Sequence, residues 1–201
     1  LASVNTNKSR YHPGEMAGIA IVVLDSEGYL VSHAQISCTI TRPDNTTDTR
    51  TGIPETQPGI YTFDYLTSHT GSHDLDIQAI APGVNDSMHS SFLVQNDYPF
   101  EIIRDAPMTT DPWQGAFNAR MTILPQSNET YTLREHVPEN LTIIDTEGRI
   151  TDNTITWNLS GESTVSYTLQ PPLKTPDLYS LRAEIETRDS LFYEARPWFI
   201  A

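Results

Sequence analysis

The chain has 201 residues, 37% of them hydrophobic, and a formal net charge of −14; that length suits one large domain or two ordinary ones. Its twelve lysines and arginines are dispersed, which excludes nucleic-acid binding, since phosphate recognition needs clustered cations. No apolar run approaches the ~18 residues of a membrane span, and the single cysteine, Cys38, leaves no internal disulfide.

Val4 to Asn7 reads as a short first strand, followed by the turn His12-Pro13-Gly14-Glu15. Met16 to Leu24 is apolar at nearly every position, as a central strand should be, and Asp25-Ser26-Glu27-Gly28 turns the chain. Ala34, Ile36, Cys38 and Ile40 alternate with polar residues, so Cys38 is expected to be a buried small hydrophobe and not a nucleophile. Thr47 to Ile53 is polar enough for an edge strand. Pro54 to Gly59 reads as loop, and Tyr61, Phe63 and Tyr65 follow on one strand face. Leu75, Ile77 and Ala79 then alternate with Asp74, Asp76 and Gln78, and Met88 to Val94 makes a further strand. Turns every ~8–12 residues between short strands are the pattern of an immunoglobulin-like sandwich.

Asn96-Asp97-Tyr98-Pro99 is the best boundary, giving domains at 1–97 and 98–201. Tyr98, Pro99, Phe100 and Trp113 are assigned to the domain junction. Pro99 fixes its own φ and biases Tyr98 to extended backbone, so the crossing is expected to be short and stiff. Beyond it, Phe117, Ala119, Met121 and Ile123 alternate cleanly, as do Tyr131 and Leu133. Asp145-Thr146-Glu147-Gly148 reads as a hairpin turn.

The strongest local signal is Ile155 to Leu169. Ile155, Trp157 and Leu159 alternate with polar residues, Ser160-Gly161-Glu162-Ser163 intervenes, and Val165, Tyr167 and Leu169 alternate again. This predicts a β-hairpin burying Trp157 and Tyr167 on one face. Tyr179 to Ile185 and Leu191 to Ala195 complete the set, and no stretch has a helical period. The expected fold is all-β, as two tandem immunoglobulin-like β-sandwiches.

Two resemblances go with this reading. Pro58-Gly59-Ile60-Tyr61-Thr62-Phe63-Asp64-Tyr65, then Gly71 through Ala79, with Tyr11-His12-Pro13-Gly14-Glu15 ahead of them, resembles bacterial and archaeal Ig-like domains and the macroglobulin-type MG2 domain over most of 1–95. The second half is similar to a β-sandwich domain of archaeal or bacterial cell-surface stalk proteins. Its marks are Glu135 to Asn140, Trp157, Gly161-Glu162-Ser163, Tyr167, and the close from Phe192 to Ala201. The resemblance implies a surface location and no catalytic residues; because the sequence begins at Leu1 and stops at Ala201 without a polar tail, it is expected to be a piece of a longer polypeptide.

There is no G-x-S-x-G, no H-E-x-x-H and no phosphate-binding glycine loop. His69 and His73 stand four apart, but Thr70-Gly71-Ser72 makes the segment a turn, so no metal is expected. Asp97, Asp105 and Asp111, near the domain boundary, are the carboxylates that could hold calcium between the domains. Asp74 with Asp76, and Glu184 with Glu186, share solvent faces of strands and do not form a cleft pair. Tyr61, Tyr65 and Trp113 are the rings that could stack on sugar, with burial the alternative. Lys8 and Lys174 are the only lysines, and no Lys–Asn cross-link is expected from either. Six asparagines head N-x-[ST] sequons and are glycan-acceptor candidates: Asn7, Asn45, Asn85, Asn128, Asn140 and Asn158.

The sequence therefore predicts a non-enzymatic extracellular module of a prokaryotic cell-surface protein, acting as rigid spacer or adhesion domain and needing no cofactor. Its expected partners are other domains of the same chain, and another protein or a surface glycan. A carbohydrate-binding module and a subunit of an extracellular filament or surface layer are the alternatives.

Overall fold

In the computed structural model, which describes residues 2–201, strands carry nearly all the regular structure and no α-helix occurs among the described residues. The chain divides between Asn96 and Asp97 into two units, with 175–178 and 201 grouped with the first.

The first unit contains β1 (Ala2–Thr6), β2 (Arg10–Tyr11), β3 (Met16–Val23), β4 (Gln35–Thr41), β5 (Thr47–Thr51), β6 (Glu55–Gln57), β7 (Ile60–Leu66), β8 (Gly71–Ala81) and β9 (Val84–Val94). One sheet has the order β1-β3-β7-β6 and the other β2-β9-β8-β4-β5. The opening strand is shared: β1 runs antiparallel to β3, while β2 crosses over and runs parallel to β9. Both the strand orders and the crossover are those of an immunoglobulin-like sandwich. Register explains the core. Ile36, Cys38 and Ile40 lie opposite Ala79, Ile77 and Leu75, so the apolar phases of β4 and β8 cover one face together. The segment 54–59, expected as loop, contains β6, an edge strand too short and polar to announce itself.

The second unit contains β10 (Phe100–Asp105), β11 (Phe117–Pro125), β12 (Thr130–His136), β13 (Thr142–Thr146), β14 (Arg149–Thr151), β15 (Thr154–Ser160), β16 (Ser163–Gln170), β17 (Tyr179–Glu186), β18 (Leu191–Tyr193) and β19 (Trp198–Ile200). Its sheets are β10-β11-β16-β13 and β14-β15-β12-β17, with β18 and β19 both pairing β17.

This topology corrects the reading of 155–169. β15 and β16 are both strands with the expected phases, but they lie in different sheets and do not pair. The turn at Gly161 (φ +61°) is a corner carrying the chain across the sandwich. Trp157 and Tyr167 are both buried, facing each other from opposite sheets at 6.0 Å between ring centroids. Asp145-Thr146-Glu147-Gly148, expected as a hairpin turn, is likewise a crossing, since β13 and β14 belong to different sheets. Gly148 is needed there because a Cβ would lie 2.4 Å from Ile155 Cγ2 and 2.7 Å from the Trp157 indole.

Candidate functional site

The inward phase of β10 is Phe100, Ile102 and Arg104; that of β12 is Tyr131, Leu133 and Glu135. Past β18 the same phase runs from Phe192 to Glu194. Three charged residues thus occupy core positions on three separate segments, and they meet. The side chains of Arg104, Glu135 and Glu194 are 2%, 0% and 7% exposed.

Arg104 grips Glu135 with both ends of its guanidinium, Nη1 to Oε1 at 2.7 Å and Nη2 to Oε2 at 3.0 Å. Nη2 also donates to Glu194 Oε2 at 2.8 Å, and Nη1 to the Tyr167 hydroxyl at 2.8 Å. That hydroxyl donates in turn to Glu135 Oε1 at 2.8 Å. Glu194 Oε2 accepts the backbone N–H of Ala183 at 2.7 Å, filling a ladder position where the last strand is interrupted between β18 and β19. Fork-to-carboxylate pairing of this kind is the strong, directional form of a charged hydrogen bond.

Two buried carboxylates face one cation, and the protonation preferences follow. Burial works against the Arg104 charge, but Glu135 and then Glu194 outweigh it and hold the guanidinium well above its ordinary range. Burial pushes the Glu135 carboxyl up, with Arg104 opposing. Burial and the Glu135 charge push the Tyr167 phenol well above its usual value, so it remains a donor. The cluster is almost wholly shielded from solvent. Its chemical capability is to tie β10 and β16 of one sheet to β12 and the β17–β18 edge of the other.

Nothing in the local pattern linked these residues, which stand 31 to 90 positions apart. The available signal was a charged residue in the apolar phase of a strand, once positive and twice negative, in one domain.

A second feature is a cleft of about 430 Å3 beside the corner segments, lined by Asp145, Glu147, Trp157, Leu159, Val165 and Tyr167 together with hydroxyl-bearing residues of β16.

The other expected site residues are scattered. Tyr98 and Phe100 pack in the second unit's own core, and Pro99 is exposed. Trp113, expected to be buried at the junction, is 65% exposed. The cause is local: Asp111 caps a 3-10 turn over Pro112–Gln114 by accepting Trp113 N–H at 3.0 Å, which turns Pro112 inward and the indole outward. The same carboxylate accepts from Gln114 Nε2. Tyr61 and Tyr65 are buried, not available for stacking on sugar. Their hydroxyls are engaged by Val31 O and by Arg42 Nε.

His73 is buried against Phe92, 4.9 Å away and nearly parallel, whereas His69 is a surface residue near Asp44, so the two rings do not share a site. Glu184 and Glu186 both pair with Arg134 on an outer face, and Asp76 pairs with His89. Lys8 Nζ bonds Glu15. Cys38 is fully buried, its thiol pushed up to about 12 by burial and by Asp76 and Asp48. All six sequon asparagines are exposed; Asn7, Asn45, Asn128 and Asn140 lie in loops or turns, and Asn85 and Asn158 on strands.

No family model and no curated protein matches the chain. Solved structures match at low similarity. The native conformation of Escherichia coli alpha-2-macroglobulin superposes with a TM-score of 0.40 and 9% identity, over 99% of this chain and 16% of that one. The trypsin-activated E. coli protein gives 0.39 and 17%, over 98% and 15%. The D0–D1 domain of intimin gives 0.36 and 15%, over 100% and 97%. The chain thus spans under a fifth of the macroglobulins' length. The immunoglobulin-like assignment stands on the strand orders themselves.

Proposed function

We propose that this chain is a non-catalytic module of a prokaryotic cell-surface protein, and that its sandwiches hold position and carry tension along an extracellular polypeptide. The observation that carries the reading is the Arg104 cluster. Tension on the second sandwich enters ahead of β10 and leaves after β19. These terminal strands lie in opposite sheets, and among the described residues β10 pairs only β11 and β19 only β17. Between them stands the ion pair from Arg104 on the first strand to Glu194 beside the last. Apolar packing between sheets can slide, whereas charged hydrogen bonds of fixed geometry resist displacement. The exposed sequons fit a glycosylated, extracellular surface.

Single-molecule stretching of the chain tests this. Arg104→Met combined with Glu135→Leu, Tyr167→Phe and Glu194→Gln removes every charge of the cluster while leaving a packed core, and the amide oxygen introduced at position 194 can still accept the Ala183 N–H. The expected result is a lower unfolding force for the second unit at similar equilibrium stability, because well-packed apolar residues can replace a buried ion triad without net loss. An unchanged force would overturn the mechanical role. Turnover of glycosides, peptides or esters, abolished by one carboxylate substitution, would overturn the non-catalytic reading.

A further inference from the structure

The four-stranded sheet of the second unit has an incomplete edge. β11 pairs β16 from Ser163 to Leu169, but on the opposite side β13 reaches only Tyr167 to Gln170. After Thr146 the chain leaves this sheet to become β14 in the other. On that side the stretch 163–166 of β16 has no strand partner among the described residues. The 430 Å3 cleft lies along this gap. Trp157, Leu159, Val165 and Tyr167 contribute its apolar part, and Asp145 and Glu147 are exposed beside it without an ion-pair partner among the described residues.

We propose that this gap is a strand-addition site for an extended segment of a partner protein, with an apolar side chain entering the cleft and lysine or arginine flanking it. Three observations select that occupant. Unpaired strand backbone offers alternating N–H and C=O groups, which another extended polypeptide complements along its whole length. The opening of four residues accommodates about 13 Å of incoming strand. The acidic rim favours cationic flanks and repels the chain's own surface, which carries twenty-six acids against twelve lysines and arginines. Exposed edges are commonly guarded by lysine, proline or an inward charge. Here the gap presents only Ser163, Thr164, Val165 and Ser166.

The probe is an end-blocked peptide, Lys-Thr-Val-Thr-Val-Thr-Lys, titrated into the isotope-labelled full chain and followed by amide NMR. Weak binding, on the order of 100 µM, is expected of a contact this small. Shifts should concentrate at 163–168, with slowed hydrogen exchange at 163–166. N-methylation at alternate residues, made once in each phase, should abolish them in the phase whose N–H groups face β16. Asp145→Lys with Glu147→Lys should weaken binding by about tenfold and leave the fold intact, since both residues are exposed. No perturbation at about 1 mM peptide, where even a −4 kcal/mol interaction would register, overturns the proposal. So do shifts insensitive to N-methylation in both phases. The same shifts appearing without peptide as protein concentration rises would assign the edge to a second copy and overturn the heterologous partner. The unfolding force of the sandwich bears on none of these outcomes.

Discussion

Replacing Arg104 by Met leaves Glu135 and Glu194 facing each other in the core without their cation. The side chain lost donates four hydrogen bonds to three partners, all on buried groups. Removing one member of a buried ion cluster costs about 3–5 kcal/mol, because the remaining charge stays desolvated. A domain of this size has only about 5–15 kcal/mol in all. At roughly 4–8 °C per kcal/mol, melting of the second unit should fall by about 12 °C or more.

The loss should depend on pH with a definite sign. Glu135 already titrates above its ordinary range in the folded protein because of burial. A carboxyl raised on folding contributes stability that is present below the unfolded value and lost as pH rises through the folded one. Without Arg104 the folded value rises further, so the variant should be more stable near pH 5 than near pH 8. The assay is urea denaturation followed by tryptophan fluorescence, which reports on the second unit alone because all three tryptophans (Trp113, Trp157 and Trp198) belong to it. Arg104→Met within about 1 kcal/mol of wild type at pH 7.5, with no recovery in acid, would refute the argument.

Three further outcomes follow from single positions. Burial holds His73 below its ordinary range, so the first unit should be fully stable above the unfolded value of ~6.5 and weaken as pH falls from there toward the folded value; His73→Phe should flatten that dependence in circular-dichroism melts. Gly148→Ala forces a Cβ to within 2.4 Å of Ile155 and 2.7 Å of Trp157, and should cost the second unit about 1–3 kcal/mol by the same fluorescence assay. Cys38 should not react with a disulfide reagent at pH 8 in the folded chain, its thiol being buried and pushed up to about 12, and should react at once in urea; fast reaction in buffer would contradict its burial.

The alternation of apolar and polar residues was sufficient to read an all-β chain, the phase of nearly every strand and the burial of Cys38, Trp157 and Tyr167. That information is local, because successive side chains of a strand point to opposite faces whatever the strand pairs with. Pairing is a different matter. Two alternating segments joined by a short glycine turn describe a hairpin and a corner between sheets equally well. Only the competition for partners decided that β15 joins β12 and β14 while β16 joins β11 and β13. The open edge at 163–166 is a consequence of that choice. The ion cluster was hidden for a related reason. Arg104, Glu135 and Glu194 each read as an exception to their own strand's pattern. A charge can stand in an apolar phase only when its counter-charge arrives from another strand, and which strand arrives is settled by the packing of two sheets, not by neighbours in the chain.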